Sequence, residues 1–216
     1  MFEVIPGILE KDWSEIEKKL ETAKTFSKSA HIDLIDGKFA VNTTFLDPKP
    51  FEKFSKDLLL EVHMMVDNPL QYLKPFADAG FKRFIGHIEK MPDISEFVAE
   101  GQILGEVGLA VDGPTDVSML DSVDLEDLDA ILIYTCEKVG FAGPPFMPER
   151  LEKVKKVREK IEFEHLRIEV DGGINNSTIL QAKEAGANRF VATSFIWNSE
   201  NPAEAFKKLQ SIISQG

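Results

Sequence analysis

Cysteine is almost absent from the sequence. Cys136 is the single cysteine among 216 residues, so an internal disulfide is excluded. The first 9 residues lack the basic region and the long apolar run of a signal peptide. No stretch of the chain approaches the roughly 20 apolar residues that cross a bilayer. These absences lead us to expect a cytoplasmic protein.

Positive charge is also scarce. Lysine and arginine number 25 against 37 aspartates and glutamates, which gives a formal charge of −12. This balance argues against nucleic-acid and anionic-membrane partners. An anionic substrate would have to be bound by local features, such as backbone N–H groups at the start of a helix. Hydrophobic residues make up 43% of the chain and charged residues 29%, as in ordinary globular proteins.

Short apolar runs alternate along the chain with segments whose apolar residues recur three and four positions apart. The predicted strands span residues 3–8, 30–35, 58–64, 83–87, 103–111, 130–134, 167–170 and 189–193. The predicted helices span residues 13–25, 49–56, 69–79, 94–100, 115–121, 148–160, 176–185 and 202–213. Asn68 and Asn201 each precede a proline and are expected to cap a helix. The alternation predicts an α/β fold of the (β/α)8 TIM-barrel type, with residues 1–216 as a single domain.

Four polar residues stand at the ends of predicted strands, where barrel enzymes carry their chemistry. His31 and Asp33 lie two apart on one strand and therefore share a face. His63 and Asp171 end two other apolar runs. Two imidazoles and two carboxylates suit one divalent metal ion, such as zinc, iron(II), manganese(II) or cobalt(II). The alternative is that each is an isolated strand-end residue, solvated or bonded to a loop.

Loops with glycine or other small residues follow the last three predicted strands. After the sixth strand come Gly140, Phe141, Ala142 and Gly143, after the seventh Gly172 and Gly173, and after the eighth Thr193 and Ser194. Barrels of this type commonly bind a phosphate group at the last two of these loops. The alternative is that the glycines serve only the turns.

The motifs resemble the ribulose-phosphate 3-epimerase family across nearly the whole chain. The matching segments are Ile5-Pro6-Gly7-Ile8-Leu9, His31-Ile32-Asp33-Leu34-Ile35-Asp36-Gly37, Val41-Asn42-Thr43-Thr44-Phe45, Val62-His63-Met64-Met65-Val66, Asn68-Pro69, His87 with Glu89, Gly140-Phe141-Ala142-Gly143 and Glu169-Val170-Asp171-Gly172-Gly173-Ile174. Their order and spacing are specific to the family.

The resemblance implies a metal-dependent epimerase that interconverts ribulose 5-phosphate and xylulose 5-phosphate through an enediolate. His31, Asp33, His63 and Asp171 match the family's metal ligands, and the two aspartates also match its acid/base pair. Inversion next to a ketone needs one group to remove a proton and another to return it on the opposite face. The resemblance further implies that Gly7, His63 and Met65 lie near the substrate, together with the loop residues named above. It also implies a small sugar-phosphate substrate and a homo-oligomer.

Several residues around these ligands depart from the family pattern. Gly7 stands where the family has a serine, and Thr193 where it has a glycine. Of three methionines that cap the metal site, Met65 remains, while Ile35 and Thr135 replace the others. Three hypotheses follow: a pentulose-phosphate epimerase, an epimerase of a hexulose 6-phosphate such as allulose 6-phosphate, and a non-catalytic sugar-phosphate-binding barrel. Both carboxylates are retained, which favours an enzyme.

Three further residues have open interpretations. His87 and Glu89, two apart at a strand end, are either structural or partners of the metal ligands. Glu61 shares a strand face with His63, so we expect it to point into the barrel and to need a partner there.

Overall fold

The computed structural model describes residues 2–161 and 165–214 of the chain. Within these ranges, eight parallel strands follow one another in sequence order around a closed barrel. They are β1 Glu3–Ile8, β2 Ser29–Ile35, β3 Leu59–Met65, β4 Arg83–His87, β5 Glu106–Val111, β6 Ala130–Tyr134, β7 Arg167–Asp171 and β8 Arg189–Ala192. The predicted (β/α)8 barrel is confirmed.

The α-helices connect most of the strands and pack their apolar faces on the barrel. They are α1 Trp13–Ala23, α2 Leu70–Asp78, α3 Ile94–Leu104, α4 Leu151–Lys160, α5 Thr178–Glu184, α6 Ser194–Trp197 and α7 Pro202–Ser214. Apolar residues of α1, α2 and α7, such as Leu20, Leu73 and Leu209, join the core that also holds the outward-facing strand residues. None of the helices in the described ranges is long and apolar enough to cross a membrane.

Two connections differ from prediction. The segments Lys49–Phe54 and Val117–Ser122 form 3-10 turns where α-helices were predicted. In the second segment, the Asp116 side chain accepts a hydrogen bond from the backbone N–H of Ser118. A carboxylate bonded two residues ahead favours a tight turn over a continued helix.

Two local predictions are wrong. Helix α3 continues to Leu104, so the strand predicted at 103–111 begins at Glu106; Ile103 is an exposed helical residue that lengthened the apolar run. Asn68 does not cap α2, because its backbone is left-handed (φ 53°) and its side chain makes no cap hydrogen bond. The predicted cap at Asn201 is confirmed, since its Oδ1 accepts from the N–H of Glu204 at 3.3 Å.

Strand alternation separates apolar from polar side chains. On β2, Ile32 and Leu34 belong to the outer core, whereas His31 and Asp33 face the barrel interior, as expected for alternate residues. The register of β2 and β3 places Asp33 beside His63. Polar residues from separate strands therefore meet at the carboxyl end of the barrel.

Candidate metal centre

Four side chains from β2, β3 and β7 converge at the carboxyl end of the barrel. His31, Asp33, His63 and Asp171 each offer one ligand atom, and these atoms all lie within 4.8 Å of one another. Asp33 Oδ1 is 3.3 Å from His31 Nε2 and 3.1 Å from His63 Nδ1. Asp171 Oδ2 is 3.5 Å from the same His63 nitrogen. We call these four residues the ligand ring.

The ligand ring fits a divalent cation. The Nε2 atom of His31 is buried and lacks a hydrogen-bond partner within the described residues. In that part of the chain, Asp33 and Asp171 form ion pairs only with histidines and with no lysine or arginine. Two imidazole nitrogens and two carboxylate oxygens are a donor set suited to zinc, iron(II), manganese(II) or cobalt(II).

Glu61 orients His31 toward the ring. Its Oε1 accepts a hydrogen bond from Nδ1 of His31, and both side chains are fully buried. When Nδ1 carries the proton, the lone pair of Nε2 faces Asp33 and is available to a metal. The expectation that Glu61 points into the barrel and finds a partner is confirmed.

Below the ligand ring lies a second buried cluster, made of Glu61, Arg83, Glu169 and Arg189, which we call the barrel floor. Arg83 Nη1 donates to Glu61 Oε2 at 2.8 Å, and Arg189 Nη1 donates to Glu169 Oε2 at 3.4 Å. His31, Glu61 and Glu169 also lie close enough to hold an ion. Each of the two buried glutamates of the floor therefore has an arginine partner, and the same arginines also pair with the partly exposed Glu3 and Glu106. The floor thus contains its own cations.

These contacts shift the pKa values of the buried groups. Burial raises the pKa of Asp33, but the neighbouring imidazoles of His31 and His63 outweigh burial and bring it to about 2. Burial lowers the pKa of His63, but hydrogen bonds with Asp171 and Asp33 outweigh it and raise the pKa. Burial and the charge of Glu61 raise the pKa of Glu169. Asp33 is therefore ionised at neutral pH.

His63 is held from its other side by a chain of hydrogen bonds that we call the outer relay. His63 Nε2 lies 3.0 Å from His87 Nε2, and His87 Nδ1 lies 3.0 Å from Glu89 Oε2. Glu89 Oε1 accepts from the backbone N–H of Asp112 at 2.8 Å. Burial lowers the pKa of His87, so a neutral His87 can accept a hydrogen bond from His63. Of the two open interpretations of His87, the structure shows direct contact with a ring residue.

A cavity opens beside the ligand ring. It is lined by Leu9, Asp33, Met65, Tyr134, Cys136, Gly140, Phe141, Ala142, Gly143, Asp171, Gly172, Gly173, Ile174, Val191, Thr193 and Ser194. Both carboxylates of the ring reach this cavity. Nine of the predicted substrate-binding residues also line it, whereas Gly7 and His63 do not.

The turn after β7 requires its glycines. Gly172 and Gly173 have φ angles of 110° and 71°, a left-handed region that other residues rarely adopt. A β-carbon at Gly173 would lie 2.8 Å from the β-carbon of Phe146. Turn geometry therefore accounts for both glycines, and it also leaves their backbone open to the cavity.

Tyr134 and Cys136 are among the lining residues that had no predicted role. Tyr134 ends β6 in register with Asp171, and its hydroxyl donates to the carbonyl oxygen of Lys138 at 2.9 Å. Its position at a strand end was the available signal. Burial raises the pKa of Cys136 to about 12, so this thiol stays protonated and is a poor nucleophile.

The sequence matches the profile of the Ribulose-phosphate 3 epimerase family over residues 3–197. It is 34% identical to ribulose-phosphate 3-epimerase, cytoplasmic isoform, of Oryza sativa subsp. japonica, with 97% of this chain and 93% of the relative covered. It is 31% identical to ribulose-phosphate 3-epimerase of Bacillus subtilis (strain 168), with 97% and 99% covered.

A solved structure shares the fold at low sequence identity. KGPDC from Streptococcus mutans superposes with a TM-score of 0.77 at 15% identity, and the match covers 98% of this chain and 97% of that chain. At this identity the likeness supports the barrel fold alone.

Proposed function

We propose that this chain, which belongs to the ribulose-phosphate 3-epimerase family, interconverts ribulose 5-phosphate and xylulose 5-phosphate with one divalent metal ion in the ligand ring. The family assignment makes the chain a carbohydrate epimerase. The observation that carries the finer proposal is the pair of ring carboxylates, Asp33 and Asp171, which come from different strands and both face the cavity.

Asp33 and Asp171 are proposed as the two acid/base groups. Inversion at C3 removes a proton from one face of the sugar and returns one to the other, so it needs two groups on separate supports. Asp33 lies on β2 and Asp171 ends β7. The low pKa of Asp33 keeps its carboxylate ionised at neutral pH. When bound, a divalent ion would stabilise the negative charge of the enediolate.

The imidazoles are proposed to hold the ring geometry. Glu61 orients His31, and His87 contacts His63 from the side away from the aspartates. Burial of His31 and His63 excludes water from the ring, which strengthens the interactions between charged groups there. The two aspartates that transfer protons are thus positioned by His31 and His63.

The substrate phosphate is proposed to bind at the loops after β7 and β8. Gly172, Gly173, Thr193 and Ser194 line that end of the cavity. Because the chain carries a charge of −12, an anion needs local donors, and backbone N–H groups without bulky side chains can supply them.

The direct test is an assay of C3 epimerisation of ribulose 5-phosphate with added Zn(II), Fe(II), Mn(II) or Co(II). The incorporation of solvent deuterium at C3 is measured in the same reaction. We expect turnover by the wild type. Asp33→Asn and Asp171→Asn should each lower kcat by about 10²- to 10⁴-fold, because each removes an acid/base group. Asp36→Asn is the matched control, since the Asp36 carboxylate binds the backbone N–H groups of Lys38 and Asp67.

Other outcomes would reassign the function. Full activity in either ring variant would rule out the two-carboxylate mechanism. Turnover of allulose 6-phosphate but not of ribulose 5-phosphate would identify a hexulose-phosphate epimerase. Tight binding of sugar phosphate without turnover under any metal would identify a non-catalytic barrel.

A further inference from the structure

Gly7 and Thr193 face each other where the barrel closes. The pairing of β1 with β8 reaches Pro6 and Ala192, so Gly7 comes next on β1 and Thr193 directly follows β8. A β-carbon at Gly7 would collide with Oγ1 of Thr193 and would lie 2.9 Å from Cγ1 of Val191. The Thr193 hydroxyl therefore occupies the space that a side chain at position 7 would fill.

This space borders the ligand ring. On its other edge, Gly7 pairs in register with His31, which is one of the proposed metal ligands. Thr193 lines the same cavity as Asp33 and Asp171. A hydroxyl in this space therefore borders His31 of the ligand ring as well as the cavity that the two carboxylates reach.

The Thr193 hydroxyl differs from those of neighbouring threonines. Thr44, Thr135 and Thr178 donate their hydroxyls to main-chain carbonyl oxygens at 2.8, 2.6 and 2.8 Å. Thr193 precedes α6 yet makes no cap hydrogen bond to it, and no other hydrogen bond of its hydroxyl occurs in residues 2–161 and 165–214. Its hydroxyl is thus available to a ligand, whereas the other three stabilise loops.

We propose that the Thr193 hydroxyl hydrogen-bonds an oxygen of the sugar chain, beside the reacting carbon, and thereby helps to determine substrate specificity. This inference rests on the proposed function. A hydroxyl can donate and accept at once, so it suits a carbon chain that carries both ketone and hydroxyl oxygens. Thr193, directly after β8, supplies a hydroxyl that Gly7 on β1 lacks.

The first test compares Thr193→Val with Thr193→Ser in the metal-loaded enzyme. Valine keeps the branched shape but lacks the hydroxyl, so kcat/KM for ribulose 5-phosphate should fall by about 3- to 10-fold, as for loss of a neutral hydrogen bond. Serine restores the hydroxyl and should stay within about 2-fold of the wild type. Affinity for inorganic phosphate should be the same in all three proteins. Thr25→Val, at an exposed threonine outside the cavity, is the matched control.

A second test moves the hydroxyl from position 193 to position 7, on the neighbouring strand β1. Gly7→Ser alone places a side chain against Thr193 and should lower kcat/KM at least as much as Thr193→Val. Adding Thr193→Gly removes the collision and leaves a hydroxyl on β1, so the double variant should recover activity relative to Gly7→Ser. If the double variant folds but does not recover kcat/KM, the proposal that a hydroxyl at position 7 can replace that of Thr193 is contradicted.

The outcomes separate this inference from the proposed function. An active wild type with an equally active Thr193→Val would overturn the role of the hydroxyl and leave the epimerase intact. An inactive wild type would overturn the proposed reaction. In that case the ribulose 5-phosphate Kd, measured by calorimetry for wild type and Thr193→Val, decides the inference, and equal values would overturn it.

Discussion

The ligand ring and the barrel floor are both buried clusters of ionisable side chains inside one barrel, yet their charges are balanced differently. In the floor, Arg83 and Arg189 pair with Glu61 and Glu169. In the ring, the described ion pairs of the two aspartate side chains are with histidines alone. Burying a charge without a partner costs several kcal/mol. The floor glutamates have arginine partners, whereas the ring aspartates pair with no lysine or arginine among the described residues, so the ring is suited to receive a cation.

His31 joins the two clusters. Its Nδ1 hydrogen-bonds Glu61 of the floor, while its Nε2 faces Asp33 of the ring. A carboxylate behind a metal-binding imidazole commonly raises the basicity of the ligand nitrogen and fixes its direction. Glu61 of the floor therefore orients a ring residue, His31, and also pairs with Arg83 inside the barrel.

The largest expected effect concerns the stability of the floor. Arg83→Met leaves Glu61 without its closest cationic partner, so the free energy of unfolding should fall by about 3–5 kcal/mol. Urea unfolding in the presence of EDTA measures this without a metal contribution. Lys74→Met is the control, because the exposed pair Lys74–Asp78 should contribute about 1 kcal/mol or less. Equal losses in the two variants would contradict a structural floor.

The next effect concerns the link between floor and ring. Glu61→Gln weakens the hydrogen bond that orients His31, so metal affinity should fall by about 10- to 100-fold. Glu169→Gln is the matched variant: Glu169 Oε1 lies 3.4 Å from His31 Nδ1 and is without a hydrogen-bond partner among the described residues. Its metal affinity should change by less than about 10-fold. Competition with a chromophoric chelator measures both. Equal effects would show that Glu61 has no special orienting role.

The smallest effect concerns the outer relay at low pH. Burial raises the pKa of Glu89, but its hydrogen bond with His87 outweighs burial, and the pKa falls from 4.5 to about 2. Ionised Glu89 therefore stabilises the fold above pH 4.5, and this contribution is lost as the pH falls toward 2. The stability difference between wild type and Glu89→Gln, both metal-free, should be greatest near pH 6 and shrink by about pH 3. A difference that is constant with pH would contradict the relay.

The barrel and the ring could be predicted from sequence because both depend on regular spacing. Eight apolar runs separated by helical segments indicate a closed parallel sheet. His31 and Asp33 share a strand face, and His63 and Asp171 end strands, so their convergence follows once the barrel is accepted. The start of β5 was less predictable, because Ile103 extended an apolar run although it is an exposed helical residue.

The floor and the Gly7–Thr193 contact could not be predicted in the same way. Arg83 and Arg189 are single arginines at the starts of distant strands, and their pairing with Glu61 and Glu169 depends on the register of the closed sheet. Gly7 and Thr193 were each visible as departures from the family pattern. Only the pairing of β1 with β8 shows that one fills the space left by the other.

The metal content of the purified chain tests the contrast between ring and floor most directly. Elemental analysis after loading with excess divalent metal and desalting should find one ion per chain in the wild type. Asp171→Asn, with an unchanged circular dichroism spectrum, should bind far less. No bound ion in the wild type, or an equal content in the variant, would contradict a metal in the ligand ring. A second ion per chain would contradict a floor whose buried glutamates are paired with its own arginines.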